Sequence, residues 1–233
     1  MQQTNLYIIV EGKSESIFMR RLLAHYLYQK SDSRFIVHVI QNETSSGYYG
    51  GVVNYAKLVR NIIGQLNKHP YSYVTTFIDF YGLASVDFPF YESVMTHSSD
   101  PYRRVSHLED ILAHAVGNHE RFIPYIQLYE FEALYFADHE RFLTIDTGWS
   151  RHQKSRIMQI VKKYHNPELI NNSYKTAPSK RLHKILGYNK VRDTDLYQRM
   201  FRHKSKSVIS QMRDRCPHFN QWIKKLLAVS HQT

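Results

Sequence analysis

The sequence predicts an α/β protein in which helices flank a parallel sheet, followed by a basic, all-helical extension at the C-terminal end. Two observations predict this. Short apolar runs alternate with helical patterns as far as about residue 138, which is typical of strand–helix–strand units. Strand patterns are then missing from residues 139–233. We therefore expect an α/β domain over 1–138 and a helical extension over 139–233 that packs on it.

Four short apolar runs, rich in β-branched and aromatic residues, predict the strands of the sheet. They cover residues 6–10, 35–40, 73–78 and 122–129. Helical patterns separate most of these runs, and strands joined through helices usually run parallel in one sheet. The runs therefore predict a parallel sheet.

Between the strands, apolar residues recur at helical spacing over residues 14–27 and 52–67. A polar, glycine-bearing loop precedes the second of these helices. Ser106 and Glu109 have the spacing of a capping box, which predicts that a third helix begins there and ends near Gly117.

In the extension, prolines predict three helix starts, and a capping residue precedes the proline in the first two. These starts are Asn166-Pro167, Thr176-Ala177-Pro178 and Cys216-Pro217, and Gly187 predicts the end of the second of these helices.

The positive charge of the chain is concentrated in its last third. Of the net charge of +11, residues 1–125 contribute none, with 11 basic and 11 acidic residues. Residues 126–146 carry one basic and five acidic residues, whereas 147–233 carry 19 basic and four acidic residues. Clustered cations bind phosphates with release of counterions, so nucleic acid is the expected partner. The alternative is a solvated basic surface that maintains solubility.

Several classes of protein are excluded on composition. The single cysteine, Cys216, allows neither an internal disulfide nor a cysteine zinc site. No apolar run approaches the ~18 residues of a membrane span, and the first residues do not resemble a signal peptide. We expect a soluble, cytoplasmic protein without membrane contact.

Acidic residues follow three of the four predicted strands. Glu11 follows the first strand, Asp79 the third, and Glu130 with Glu132 the fourth. Ligands of open α/β sheets collect beyond the carboxyl ends of the strands, and grouped carboxylates suit Mg²⁺ or Mn²⁺. The alternative is that each acid caps a helix. On a strand, Glu130 and Glu132 would share a face, whereas at a helix start they would diverge.

Several segments together resemble a known family. Residues 10–15 (VEGKSE) resemble the Glu-Gly motif of Toprim domains, and the resemblance continues through 79–82 (DFYG), 127–134 (QLYEFEAL), 176–181 (TAPSKR) and the Cys-Pro-x-Phe-x-x-Trp segment at 216–222. The combination is similar to a bacterial Toprim-like family classed as domain of unknown function 4276, related in fold to the nucleases of the overcoming-lysogenization-defect class. The resemblance implies a Rossmann-like sheet and Mg²⁺-dependent nuclease chemistry. Family members are often encoded beside AAA or SMC-like ATPases, which implies such a partner and a role in defence against phage.

The resemblance also implies roles for individual residues. Glu11 resembles the Toprim glutamate that acts as general acid/base or metal ligand, and Asp79 resembles the first aspartate of the Asp-x-Asp metal motif. The second aspartate is replaced by Tyr81. Glu130 and Glu132 would then complete the metal site. Asp87 could substitute only if its loop folds back.

Two basic segments predict contacts with nucleic acid. Ser179, Lys180 and Arg181 stand at a predicted helix start, where free N–H groups and cations favour phosphate. A second run contains Arg202, Lys204 and Lys206, and Lys13 adds a cation beside the Glu-Gly motif. The alternatives are an ordinary helix start and a solvated face.

Two functions remain open from the sequence. The first is a metal-dependent nuclease that cuts nucleic acid, and the second is a non-catalytic subunit that binds nucleic acid or docks an AAA or SMC-like ATPase. The retained acids favour the first, whereas Tyr81 favours the second. A primase or topoisomerase is disfavoured, because we expect the chain to lack the additional domains that those activities require.

Overall fold

A computed structural model describes residues 3–32, 34–41, 54–83, 88–145, 148–171, 174–187 and 206–230. Within them the protein is a mixed α/β structure whose parallel sheet is flanked by helices, as predicted. The strands are β1 (Thr4–Val10), β2 (Phe35–Gln41), β3 (Tyr73–Asp79), β4 (Phe122–Ile123) and β5 (Ile126–Gln127). Their order is β2-β1-β3-β4, with β5 also paired to β3, and every pairing is parallel.

Helices connect the strands and continue beyond them. In the first part of the chain they are α1 (Lys13–Phe18), α2 (Ala24–Lys30), α3 (Tyr55–Lys68), α4 (Phe80–Leu83), α5 (Tyr91–His97) and α6 (Pro101–Ala115), with a π-helical turn, Met19–Leu23, between α1 and α2. Later in the chain follow α7 (His139–Phe142), α8 (Arg151–Lys163), α9 (Pro178–Leu186), α10 (Lys206–Arg215) and α11 (Pro217–Val229), with 3-10 turns at Phe131–Phe136, Pro167–Leu169 and Tyr174–Thr176. In the described part of the chain, no helix combines the length and apolar character needed to cross a membrane.

Helices cover both faces of the central strands. Successive side chains of a strand point to opposite faces. In β1, Ile8 and Val10 join the apolar cluster that contains Phe18 of α1. Ile9 between them joins a second cluster, which contains Leu58 of α3 and Leu108 of α6. The continuous apolar run of β1 is therefore explained by burial on both faces.

The helical extension shares the core of the sheet. Trp222 of α11 is 2% exposed and belongs to the same apolar cluster as Ile8. Its indole N–H donates to the Thr75 hydroxyl of β3 over 2.9 Å, and its ring stacks on Tyr125 at a centroid distance of 4.4 Å. The expected packing of the extension on the α/β part is thus seen at α11, and the division at residue 138 stays a prediction.

The fourth predicted strand, 122–129, is wrong as a continuous element. The chain forms only β4 and β5, with Pro124 between them. Proline has no N–H to donate to a ladder. Beside it, the Thr76 hydroxyl of β3 donates to the Tyr125 carbonyl and accepts from the Tyr125 N–H. A side chain replaces backbone pairing at this point.

The predicted capping box at Ser106 is also wrong, because both residues lie inside α6. The helix begins at Pro101, and the Asp100 side chain caps it by accepting from the Tyr102 N–H over 2.9 Å. The predicted helix ends are confirmed, since Gly117 and Gly187 have the positive φ angles of helix ends, 71° and 69°. Prolines open α9 and α11 as predicted, but no side chain caps the start of α9. The Asn166 side chain is a cap, but the element that it begins is only the 3-10 turn Pro167–Leu169.

Candidate functional site

Two of the predicted carboxylate residues meet at the carboxyl end of the sheet. Val10 of β1 lies opposite Phe77 of β3, so Glu11, the next residue after β1, comes beside the end of β3. The backbone N–H of Asp79 donates to Glu11 Oε2 over 3.4 Å. The structure therefore brings Glu11 and Asp79 together, as parallel strand ends are expected to do.

The side chain of Asp79 is held in one orientation. It is 7% exposed, and its Oδ1 accepts a hydrogen bond from the Phe131 N–H over 2.9 Å. Phe131 opens the 3-10 turn that follows β5. Because a backbone donor fixes one oxygen of the carboxylate, Asp79 cannot turn away from the sheet end without leaving a buried N–H unsatisfied.

Gly82 of α4 is a site residue to which we gave no role from the sequence. A Cβ atom on Gly82 would lie 3.2 Å from both carboxylate oxygens of Glu11. The Glu11 carboxylate therefore lies directly against the backbone of α4, and a side chain at position 82 would require it to shift by a few tenths of an ångström. The DFYG segment contained this signal, since a glycine three residues after Asp79 allows such a close approach.

Glu15 is a second residue that our sequence analysis left without a role. It lies four residues after Glu11, is 2% exposed, and turns back so that a Cβ on Gly12 would lie 2.7 Å from its Oε2. The sequence contained one signal for a role of Glu15, which is its place in the VEGKSE segment. Glu15 is thus a buried acid at the start of α1, beside the Glu-Gly motif.

Glu130 and Glu132 diverge, which is the outcome expected of a helix start. Glu132 is fully buried in the first turn of the 3-10 segment. Glu130 points to the extension, where its two oxygens accept from the Ser179 N–H at 2.8 Å and the Ser179 hydroxyl at 3.0 Å. A carboxylate at this place stabilises the start of α9 through the helix dipole. The anion at the start of α9 is therefore the chain's own Glu130.

The expected metal ligands can be compared with what Mg²⁺ needs. Within the described ranges, no group of three or more His, Cys, Asp or Glu side chains could hold a metal ion. Mg²⁺ usually keeps several waters and takes one or two carboxylates together with substrate phosphates. Glu11 and Asp79 at one sheet end provide a donor set of that kind.

Tyr81, which replaces the second acid of the Asp-x-Asp motif, belongs to an aromatic cluster. Its backbone N–H donates to the Tyr129 carbonyl over 3.1 Å, and the two rings lie 5.6 Å apart. Burial, followed by Tyr129 and Glu130, raises the pKa of the Tyr81 hydroxyl well above its usual value. Tyr81 is therefore a neutral phenol.

Two predicted nucleic-acid contacts line a pocket between α8 and α9. This pocket has a volume of about 320 Å³, and Lys180 and Arg181 contribute to its wall. Lys13 is exposed at the first position of α1. Arg202 and Lys204 lie outside the described residues, and of Lys206, which begins α10, only the backbone is described.

A buried polar network that sequence analysis missed connects α11 to the rest of the molecule. Glu168 is fully buried and accepts from the backbone N–H groups of His218 and Phe219, at 3.0 and 2.8 Å, and from the Tyr102 hydroxyl at 3.1 Å. His218 Nε2 lies 2.9 Å from Glu109 Oε1, which also accepts from the Ile126 N–H.

Two groups of this network have shifted pKa values. Burial raises the pKa of Glu168, although the backbone N–H groups of α11 act against it. For His218, burial alone would lower the pKa, but the hydrogen bond and charge of Glu109, with the charge of Glu168, raise it above its ordinary value. The network ties α11 to α6 and β5.

Comparison with known proteins identifies the family. No curated protein matches the chain, and no solved structure matches it. Residues 10–227 match the family described as "Domain of unknown function (DUF4276)", and this match includes every predicted site residue. The chain therefore belongs to the DUF4276 family.

Proposed function

We propose that the protein is a Toprim-type nuclease that hydrolyses phosphodiester bonds of nucleic acid with Mg²⁺ or Mn²⁺. The observation that carries the proposal is the hydrogen bond from the Asp79 backbone N–H to the Glu11 carboxylate, which brings two acidic residues to the sheet end where α/β folds bind ligands. The net charge of +11 and the basic pocket between α8 and α9 support a phosphate-bearing partner.

Each acid has a distinct part in this proposal. Glu11 and Asp79 would hold the metal, which when bound would neutralise phosphate oxygens and lower the pKa of water. Asp79, fixed by the Phe131 N–H, would orient it. Glu11 would also act as the general base, since it is the acid that matches the Toprim glutamate. Glu132, which is fully buried in the 3-10 turn after Glu130, would be the further metal ligand that the family resemblance implies.

The biological setting is proposed from the family resemblance. We infer a cytoplasmic effector in defence against phage, acting with an AAA or SMC-like ATPase. The absence of cleavage by the isolated protein would be compatible with this setting only if addition of the ATPase restored metal-dependent cleavage.

The test is cleavage of labelled DNA and RNA by the full chain with Mg²⁺, Mn²⁺ or EDTA. Glu11→Gln and Asp79→Asn keep the shape of each side chain and should lower the rate by about 100-fold or more. Glu120→Gln is the matched control, since Glu120 is exposed and outside the site. Cleavage by both site variants at the wild-type rate would refute the proposal.

A second function is favoured by Tyr81. A neutral phenol packed on Tyr129 provides no carboxylate where Toprim enzymes have one, so the chain would be a non-catalytic subunit that binds nucleic acid or docks the ATPase. The two functions differ in metal binding. A nuclease is stabilised by Mg²⁺ or Mn²⁺, because a ligand of the native state raises its stability. A melting temperature that is independent of both metals favours the subunit.

A further inference from the structure

The pocket between α8 and α9 is lined by cations. Eleven described residues line its volume of about 320 Å³, and none of these eleven is acidic. Six of them are basic: Arg156, Lys163, Lys175, Lys180, Arg181 and Lys184. Such a concentration of like charge is unfavourable unless counterions or a bound anion offset it.

The two helices do not provide the opposite charge themselves. Neither Arg151–Lys163 nor Pro178–Leu186 contains an Asp or Glu. Among the described residues, Glu168 and Glu130 are engaged elsewhere, because Glu168 binds the start of α11 and Glu130 binds Ser179. No carboxylate of these two helices therefore lines the pocket.

One wall of the pocket is held in place before any ligand binds. Arg181 Nε donates to the Thr176 carbonyl over 2.6 Å, and Arg181 Nη2 donates to the Tyr164 hydroxyl over 3.4 Å. The guanidinium group also lies 5.4 Å from the centre of the Tyr164 ring. Gln153 of α8 bonds the Ile185 carbonyl of α9 over 3.0 Å and fixes the helices to each other. A preorganised wall lowers the entropy cost of binding.

The size of the pocket limits what it can accept. A volume of about 320 Å³ is at the low end for small-molecule sites, which measure about 300–1,000 Å³. A duplex cannot enter a space of this size, whereas the phosphates of one or two nucleotides can. Arginine and lysine together are the residues that recognise phosphate groups.

We propose that this pocket binds clustered phosphate groups of a nucleotide ligand. The phosphates come from a single nucleic-acid strand or from a free nucleoside triphosphate. The choice of a nucleotide rests on the proposed function, whereas the pocket and its charge do not. Because Ser179, the neighbour of Lys180, is bonded to Glu130, a strand held in the pocket would lie next to the sheet end that carries Asp79.

The experiment measures binding of a fluorescent single-stranded oligonucleotide to the full chain by anisotropy in EDTA, with ATP and inorganic triphosphate as competitors. Lys180→Glu with Lys184→Glu reverses two exposed cations of the pocket. Arg60→Glu with Lys68→Glu makes the same change of net charge on exposed residues of α3. Circular dichroism confirms that both double variants are folded.

We expect the pocket variant to weaken binding about tenfold or more and the α3 variant much less. The log–log salt slope should fall by roughly 0.7 for each lost contact with a single strand. If ATP displaces the oligonucleotide, or binds where the oligonucleotide does not, the source is a free nucleotide. If ATP does neither, the source is a strand.

The proposal is overturned if neither ligand binds, or if both double variants weaken binding equally. Because the measurement is made without metal, its failure is separate from failure of the nuclease proposal. Binding that is lost from the pocket variant but kept by Glu11→Gln supports the pocket alone, whatever the cleavage assay gives.

Discussion

Replacing Glu168 by glutamine tests whether the buried network fastens α11 to the rest of the protein. The side chain is fully buried and accepts three hydrogen bonds, from two backbone N–H groups of α11 and from the Tyr102 hydroxyl. Glutamine has the same size, so Glu168→Gln creates no cavity. The change therefore isolates the polar interactions.

The magnitude follows from how an amide fits among these donors. Glutamine has one acceptor oxygen, so in its best orientation it serves the His218 N–H and the Tyr102 hydroxyl, and its NH₂ group meets the Phe219 N–H. An unsatisfied buried donor costs about 1–3 kcal/mol, and loss of the negative charge at the start of α11 adds about 0.3–1 kcal/mol. Burial of the charged carboxylate, which raises the pKa of Glu168, costs free energy, and removing that charge acts in the opposite direction. We expect a net loss of about 1–3 kcal/mol in the free energy of unfolding.

The measurement is urea denaturation at pH 7, followed by circular dichroism and tryptophan fluorescence. Glu120→Gln is the control, since the same change at an exposed position should alter the free energy of unfolding by less than about 0.5 kcal/mol. Equal stabilities of Glu168→Gln and Glu120→Gln would refute the argument. A lower midpoint with an unchanged slope would support it.

Three further predictions concern His218, Gly64 and Gly82. His218 has a raised pKa in the folded protein, so its stabilising contribution is complete below pH 6.5 and is lost as the pH rises through the folded pKa. The difference in free energy of unfolding between wild type and His218→Gln, measured by urea denaturation at several pH values, should therefore shrink as the pH rises. A difference that stays constant with pH would contradict this. Gly64→Ala in α3 meets no atom within 4 Å and should raise the free energy of unfolding by about 0.5–1 kcal/mol. Gly82→Ala should instead displace the Glu11 carboxylate and lower metal-dependent cleavage, and wild-type cleavage by Gly82→Ala would show that Glu11 has room to move.

The central strands and the Glu11–Asp79 pair could be predicted because their signals are local. A run buried on both faces is apolar at every position, as in β1 and β3, and parallel strands end at one edge of the sheet. Residues at the ends of adjacent strands, such as β1 and β3, are therefore neighbours whatever the length of chain between them. This rule brought Glu11 and Asp79 together across 68 residues.

The interactions that the sequence did not predict depend on pairings without a local pattern. Ser106 and Glu109 have capping-box spacing, but the same spacing occurs in the middle of any helix, and the burial of Glu109 depends on His218, 109 residues away. Glu130 likewise caps α9 from 49 residues away. Spacing along the chain carries no information about such partners.

One short segment connects the acidic sheet end to the basic extension. Glu130 and Phe131 are consecutive, and the Phe131 N–H binds Asp79 while the Glu130 carboxylate binds Ser179. A shift of α9 would therefore disturb the orientation of Asp79 through one peptide unit. Since α9 also forms a wall of the basic pocket, we expect a ligand in the pocket to affect the orientation of Asp79 through this segment. The acidic and basic segments, which are separate in the sequence, are joined in the fold by the hydrogen bonds of Glu130 and Phe131.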